Sequence, residues 1–197
     1  MNFEAELRKA NIFRESLDFK MKGIVIPGDI KSRLFNGYYH LSLEHFFSVM
    51  YLLNHKFYAS AAALLRPQYE AAVRGGYFQD YATDKAIEKF ISGKSSPTLS
   101  TLVGDISTKL ESAKESSFYR FFKKIEVSMN EFTHGGIYQI NRRFTQSDLA
   151  NNFSEKDKLV LASTSLVIAQ LSAACTLSAA GEKQAALEIL SDATPSQ

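Results

Sequence analysis

Apolar residues recur along this chain at steps of three, four and seven, the spacing of one α-helical face, and strand-like alternation is scarce. A first amphipathic helix is predicted from Phe3 to Lys20, followed by a short link, Gly23 to Gly28, that contains Pro27. Asp29 can cap a long second helix reaching about His55, where Ile30, Leu34, Leu41, Phe46, Val49 and Leu52 fall at helical steps. Phe35, Tyr38, Leu43, Phe47 and Leu53 occupy its other faces, so this helix is apolar nearly all round and belongs inside a bundle. The third runs from about Tyr58 to Tyr81, with a kink expected near Leu64 to Pro67, where the proline lacks an N–H.

Thr83 or Asp84 opens a short fourth helix that stops at Gly93, and Thr98 opens a fifth to about Ser112. Ser116 or Ser117 opens a sixth that ends around Phe132, before the glycine stop of His134-Gly135-Gly136. Tyr138 to Phe144 reads as a helical turn or as extended chain. The last long helix starts at Ser154-Glu155 and ends near Ala180-Gly181; a short helix and a frayed tail, 192–197, follow. The pattern predicts one all-α domain over residues 1–197, a bundle of about six to eight helices with long antiparallel helices at its centre. Residues 1–28 form its N-terminal helix and link.

One stretch is long enough to span a bilayer: Leu159 to Ala180 holds 22 residues without a charge. Seven of them are Ser, Thr or Gln and six more are Ala, which favours a core or interface helix whose small residues admit a close neighbour. No membrane association is expected, and the start of the chain shows no signal-peptide core. The 23 Lys and Arg nearly balance the 21 Asp and Glu, a net charge of +2, which argues against a broad DNA-binding surface. The balance is uneven, however. Residues 117–144 carry five Lys or Arg against two Glu, while residues 145–197 carry three Lys against six acids. The lone Cys175 makes no internal disulfide and fits a reducing cytoplasm.

Three segments place costly polar groups among apolar neighbours. In ALLRPQYEAAVRGGYF, Arg66, Glu70 and Arg74 stand at i, i+4 and i+8 and share one helix face. Two readings are open: a partly buried ion network that fixes helix register, or an anion pocket in which two guanidiniums offer forked donors. In NEFTHGGIYQINRRF, His134 follows a helix C-terminus, and Gln139, Arg142 and Arg143 lie within ten residues of it. Here a capping histidine with two surface arginines competes with a pocket wall. In RLFNGYYHLSLEHFF, His40 and Glu44 are spaced to pair, while Glu44 and His45 point about 100° apart and cannot both face one partner. A polar group facing the arginine ladder would explain the glutamate on this apolar helix; the competing reading makes each histidine a core residue bonded to a carbonyl. No metal-ligand, phosphate-loop or nucleophile-elbow pattern occurs, so neither metal nor cofactor is expected.

The strings LLRPQYEAAVRGGYF and FTHGGIYQINRRF resemble those of a bacterial family of uncharacterised helical proteins, over about Leu43 to Leu177. The resemblance implies a signature set of Glu44, His45, Arg66, Pro67, Glu70, Arg74, His134, Gln139, Arg142 and Arg143. A more distant similarity is to the HEPN helical bundles, many of them metal-independent ribonucleases of toxin and phage-defence systems. Those enzymes place four to six residues between an Arg and a later His on one helix, with two protomers completing the site. Arg33 to His40 meets that spacing at its upper limit, and Leu34 stands where the group usually has a polar residue.

Two functions from different classes are therefore expected. The first is a homo-oligomeric enzyme acting on a phosphodiester such as RNA. His134, with Glu70 and Arg66, would do the chemistry, and Arg74, Gln139, Arg142, Arg143, Glu44 and His45 would bind the ligand. The second is a non-catalytic binding or assembly module, dimeric or higher, in which the Arg-Glu-Arg ladder is structural and the ligand, if any, is a small anion.

Overall fold

In the computed structural model the long helices other than the third begin where the chain supplies a side-chain cap. The structure describes residues 2–110, 129–146 and 148–193. Helix α1, Phe3–Lys20, starts on the Asn2 side chain, which accepts from the Ala5 N–H. Helix α2, Ile30–Asn54, starts on Asp29, whose carboxylate accepts from the Ser32 N–H at 2.9 Å and is held below its ordinary pKa by hydrogen bonds to Ser32. Helix α3, Tyr58–Gly76, runs on into a π-helical turn, Tyr77–Tyr81, closed by the Ala82 N–H on the Tyr77 carbonyl. Helix α4, Asp84–Ile91, is capped by Thr83, and α5, Leu99–Leu110, by Thr98. Residues 129–133 are helical, α6 is the short Ile137–Asn141, and Phe144 and Leu149 form an isolated bridge. Helix α7, Glu155–Ala179, carries a full capping box between Ser154 and Asp157, and α8 is Lys183–Ala193.

The all-α bundle expected from the pattern is what forms: among the described residues there is no strand beyond the one bridge. Most of the predicted sixth helix, and tail residues 194–197, lie outside the described residues. The third helix spans Tyr58 to Tyr81 as expected and stays helical through Pro67.

Helix α2 packs chiefly on α3 and α7, while α1 and α8 cover α7. Of the positions at the expected helical steps, α2 buries Phe46 and Val49 fully but leaves others out. Tyr39, Leu43, Phe46, Met50 and Leu53 point inward, whereas Ile30 and Leu41 are 60% and 39% exposed. Periodicity does not choose between stripes on a helix that is apolar all round; burial between α3 and α7 does. Helix α7 is long and apolar enough to cross a membrane, yet Leu161, Leu166, Ala169, Ala173 and Leu177 are buried in the shared core. Its buried polar residues tie it to its neighbours. Gln68 of α3 donates to the Ser165 carbonyl at 2.8 Å and accepts from the Ser165 hydroxyl at 2.7 Å, and the Ser42 and Ser172 hydroxyls meet at 3.0 Å.

Gly75 explains part of the RGGY string. A Cβ there would stand 2.6 Å from the ring of Tyr39, a buried residue whose hydroxyl donates to Gln79. Gly75→Ala gains helix propensity but overpacks this contact, so a net loss of about 1–2 kcal/mol is expected, read as a lower denaturation midpoint. The same change at Gly37, where a Cβ meets nothing within 4 Å, is the control and is expected to be neutral or stabilising.

Candidate functional site

The Arg66–Glu70–Arg74 face lies partly buried beside α2. Glu70 and Arg74 pair as their spacing allows: one carboxylate oxygen, Oε1, accepts from Arg74 Nε at 3.0 Å and Nη2 at 2.7 Å. Nη2 also donates to the Pro97 carbonyl at 3.1 Å, anchoring the side chain to the segment before α5. The Arg74 side chain is only 13% exposed, and its Nη1 is buried without a hydrogen-bond partner among the described residues. Arg66 is half-buried and has no hydrogen bond or ion pair among the described residues. The ladder is therefore one ion pair and one unneutralised cation.

These groups line a cavity of about 320 Å³ together with Tyr38 and His45 of α2 and Thr133, with Leu41, Pro67 and Ala71 as its apolar flank. Burial pushes the His45 imidazole below its ordinary pKa, against the opposing pull of neighbouring Glu44, so the ring is neutral near pH 7. Burial likewise raises the Tyr38 phenol, with Arg74 opposing, so its O–H is kept as a donor. The lining thus presents two guanidiniums, a neutral imidazole and a phenol, with one carboxylate already engaged.

Pro67 and Thr133 connect the two motif strings. Without a proline N–H, the Ala63 carbonyl loses its intrahelical donor. The Thr133 hydroxyl lies 3.3 Å from that carbonyl and 2.8 Å from the Met129 carbonyl of its own turn. The glycines that follow have separate reasons. Gly135 adopts φ +68°, and a Cβ at Gly136 would run into the Glu131 carboxylate.

Of the residues proposed from sequence, the cavity gathers His45, Arg66, Glu70 and Arg74. It is His45, not Glu44, that turns toward the ladder, since adjacent helical residues point about 100° apart. Glu44 and His40 are exposed and no bond joins them, so neither the expected pair nor a core role for His40 is present. His134 is exposed, and Thr133 before it is the motif residue that lines the cavity. Gln139 donates to the Ala59 carbonyl at 3.4 Å, and Arg143 is exposed.

Arg142 does structural work. It donates to Asp157 at 2.8 Å and to the Tyr138 carbonyl, and its guanidinium sits over the Phe132 and Phe153 rings. Although burial alone would raise the Asp157 carboxyl, hydrogen bonds from Arg142 and Ser154 outweigh it and hold the group below its usual range. Arg142 thereby braces the capping box of α7. Tyr38 and Thr133 were not singled out from sequence; Tyr38 stands seven residues before His45, two helical turns away on the same face.

A larger cavity, about 520 Å³, lies on another flank of α3 against α5 and α7, walled by Tyr39, Tyr69, Val73, Ile106, Val167 and Leu171 among others. Its described lining holds no Asp, Glu, Lys or Arg, and burial pushes the Cys175 thiol on its wall upward, toward the unreactive protonated form. Among the described residues no three His, Cys, Asp or Glu side chains cluster to hold a metal.

No curated protein and no solved structure matches the chain. A family profile does, from Tyr39 within α2 to residue 195, so that α2 from that point, α3 and α7 all fall inside the match. By that match, over residues 39–195, the chain belongs to a family of unknown function, DUF6988.

Proposed function

We propose that this chain is a helical binding protein for a small oxyanion, held by Arg66 and His45 beside the Glu70–Arg74 pair. The observation that carries this reading is Arg66, a half-buried guanidinium with no hydrogen bond or ion pair among the described residues, on the wall of one cavity with nearly buried Arg74 and His45. A buried donor left unpaired is costly, and a buried guanidinium more so, unless something supplies the missing acceptor. A phosphate or carboxylate group supplies it in forked geometry and offsets the surplus positive charge. Tyr38 and Thr133 add neutral hydroxyls to the same wall.

Thermal unfolding of the purified chain with inorganic phosphate or acetate tests the proposal, because a ligand bound only to the folded state raises the midpoint. Arg66→Ala leaves the Glu70–Arg74 pair intact, and it is expected to weaken binding about tenfold or more. No midpoint shift at about 10 mM of either anion overturns the reading.

A catalytic reading rests on a narrower observation: exposed His134 directly follows Thr133 of the cavity wall. There it would serve as acid or base toward a phosphodiester seated on the arginines, as a HEPN-like ribonuclease completed by a second copy. RNA incubated with the protein in EDTA distinguishes the two readings. Cleavage that His134→Ala abolishes supports the enzyme, and intact RNA leaves the binding module.

A further inference from the structure

Resting on that anion reading, we infer that the ligand group is a dianion of the phosphate-monoester type, and that the cavity takes it up together with one proton on His45. The argument starts from charge. Glu70 engages Arg74 through two bonds, so among the charged residues of the cavity's described lining Arg66 supplies the one uncompensated positive charge. A carboxylate monoanion is matched by that charge alone. A phosphate monoester carries close to two negative charges near neutral pH and leaves a deficit of one. His45 is the group on this wall able to make up the difference at physiological pH, by accepting a proton from solvent.

The hydrogen-bonding arithmetic agrees. A neutral imidazole has one donor and one acceptor nitrogen, whereas an imidazolium donates from both and suits an oxyanion that only accepts. Burial keeps His45 neutral while the cavity has no ligand, and a dianion against the ring favours the charged form. The other ionisable groups around it do not pre-empt that change. On α2 these are exposed Glu44 and the protonated Tyr38; on α3 they are Arg66, Arg74 and the already engaged Glu70. The stretch bearing Thr133 adds Glu131, which lies against Gly136, and exposed His134.

Sulfate is the decisive probe, because it stays a dianion throughout the neutral range, and any proton exchanged on binding belongs to the protein. Calorimetric titration of the full chain in two buffers of different ionisation enthalpy is expected to show uptake of about one proton per sulfate at pH ~7.5, with affinity rising toward tenfold per pH unit on acidification. Acetate is expected to bind with little proton uptake. His45→Gln is expected to abolish the uptake and flatten the pH dependence while retaining weaker sulfate binding. In the unaltered protein, NMR titration of the His45 ring is expected to show its pKa rising by more than about two units on adding sulfate, as uptake of about one proton at that pH requires.

Sulfate binding without proton uptake, or uptake that persists in His45→Gln, overturns this inference and leaves the oxyanion site standing. Failure of sulfate, phosphate and acetate all to bind overturns the site itself.

Discussion

Gln68→Ala is expected to cost about 3 kcal/mol, a fall in melting temperature of roughly 6–12 °C for a chain of this size. Gln68 is fully buried, and its amide makes both halves of a reciprocal contact with Ser165, also fully buried. Truncation removes two hydrogen bonds at about 1 kcal/mol each. It also leaves the Ser165 hydroxyl to find another acceptor and opens a void between α3 and α7. The partner variant separates polar from packing effects. Gln68→Leu with Ser165→Ala replaces the amide and the hydroxyl by apolar groups, leaving only the Ser165 main-chain carbonyl of this contact, and is expected to cost clearly less than Gln68→Ala. A double-mutant cycle over these positions then reads the coupling of the hydroxyl to the amide, and a coupling near zero would show that this bond adds nothing to stability.

Glu70→Ala is the second large effect. Removing the carboxylate strands Arg74, whose side chain is 13% exposed, with Nη1 already unpartnered and only the Pro97 carbonyl left for Nη2. Breaking a fully buried pair costs about 3–5 kcal/mol and a surface pair costs under about 1. Glu70 retains 30% exposure, so an intermediate loss of about 2 kcal/mol is expected, a melting shift of roughly 4–8 °C. An unchanged melting temperature would show that Arg74 does not depend on Glu70. Added phosphate is expected to restore part of the loss in this variant, since an anion in the cavity replaces the missing counter-charge.

The helical framework was legible because its signals are local. Asp29, Thr83 and Ser154 each sit one residue before a helix and cap it through neighbours three residues on. The i, i+4 spacing likewise placed Glu70 against Arg74 without any knowledge of the fold. What the sequence did not show depends on partners far along the chain. Arg142 looked like a ligand group, yet its partner is the capping aspartate of α7, and only the packed structure brings the two together. Glu44 was the side chain expected to face the ladder; the rotation of α2, set by burial of Tyr39, Leu43 and Phe46, selects His45 instead. That rotation escaped the pattern because α2 is apolar on every side. The membership of Thr133 had a weak signal in its motif string. Its role appears only beside Pro67.

The missing N–H of Pro67 gives α3 a socket on its flank, filled by a hydroxyl from 70 residues beyond the carbonyl it meets. Because that hydroxyl has one proton and two carbonyls within reach, it can let go of Ala63 and still remain satisfied by Met129. The tie between the cavity's two motif strings is thus a latch that opens without stranding the threonine, while the Ala63 carbonyl bears the cost of release. An alanine at 67 would return that carbonyl to the helix ladder and take away the socket. The one missing N–H in an otherwise continuous α3 is therefore what gives the Thr133 segment a place to hold on beside Arg66 and His45.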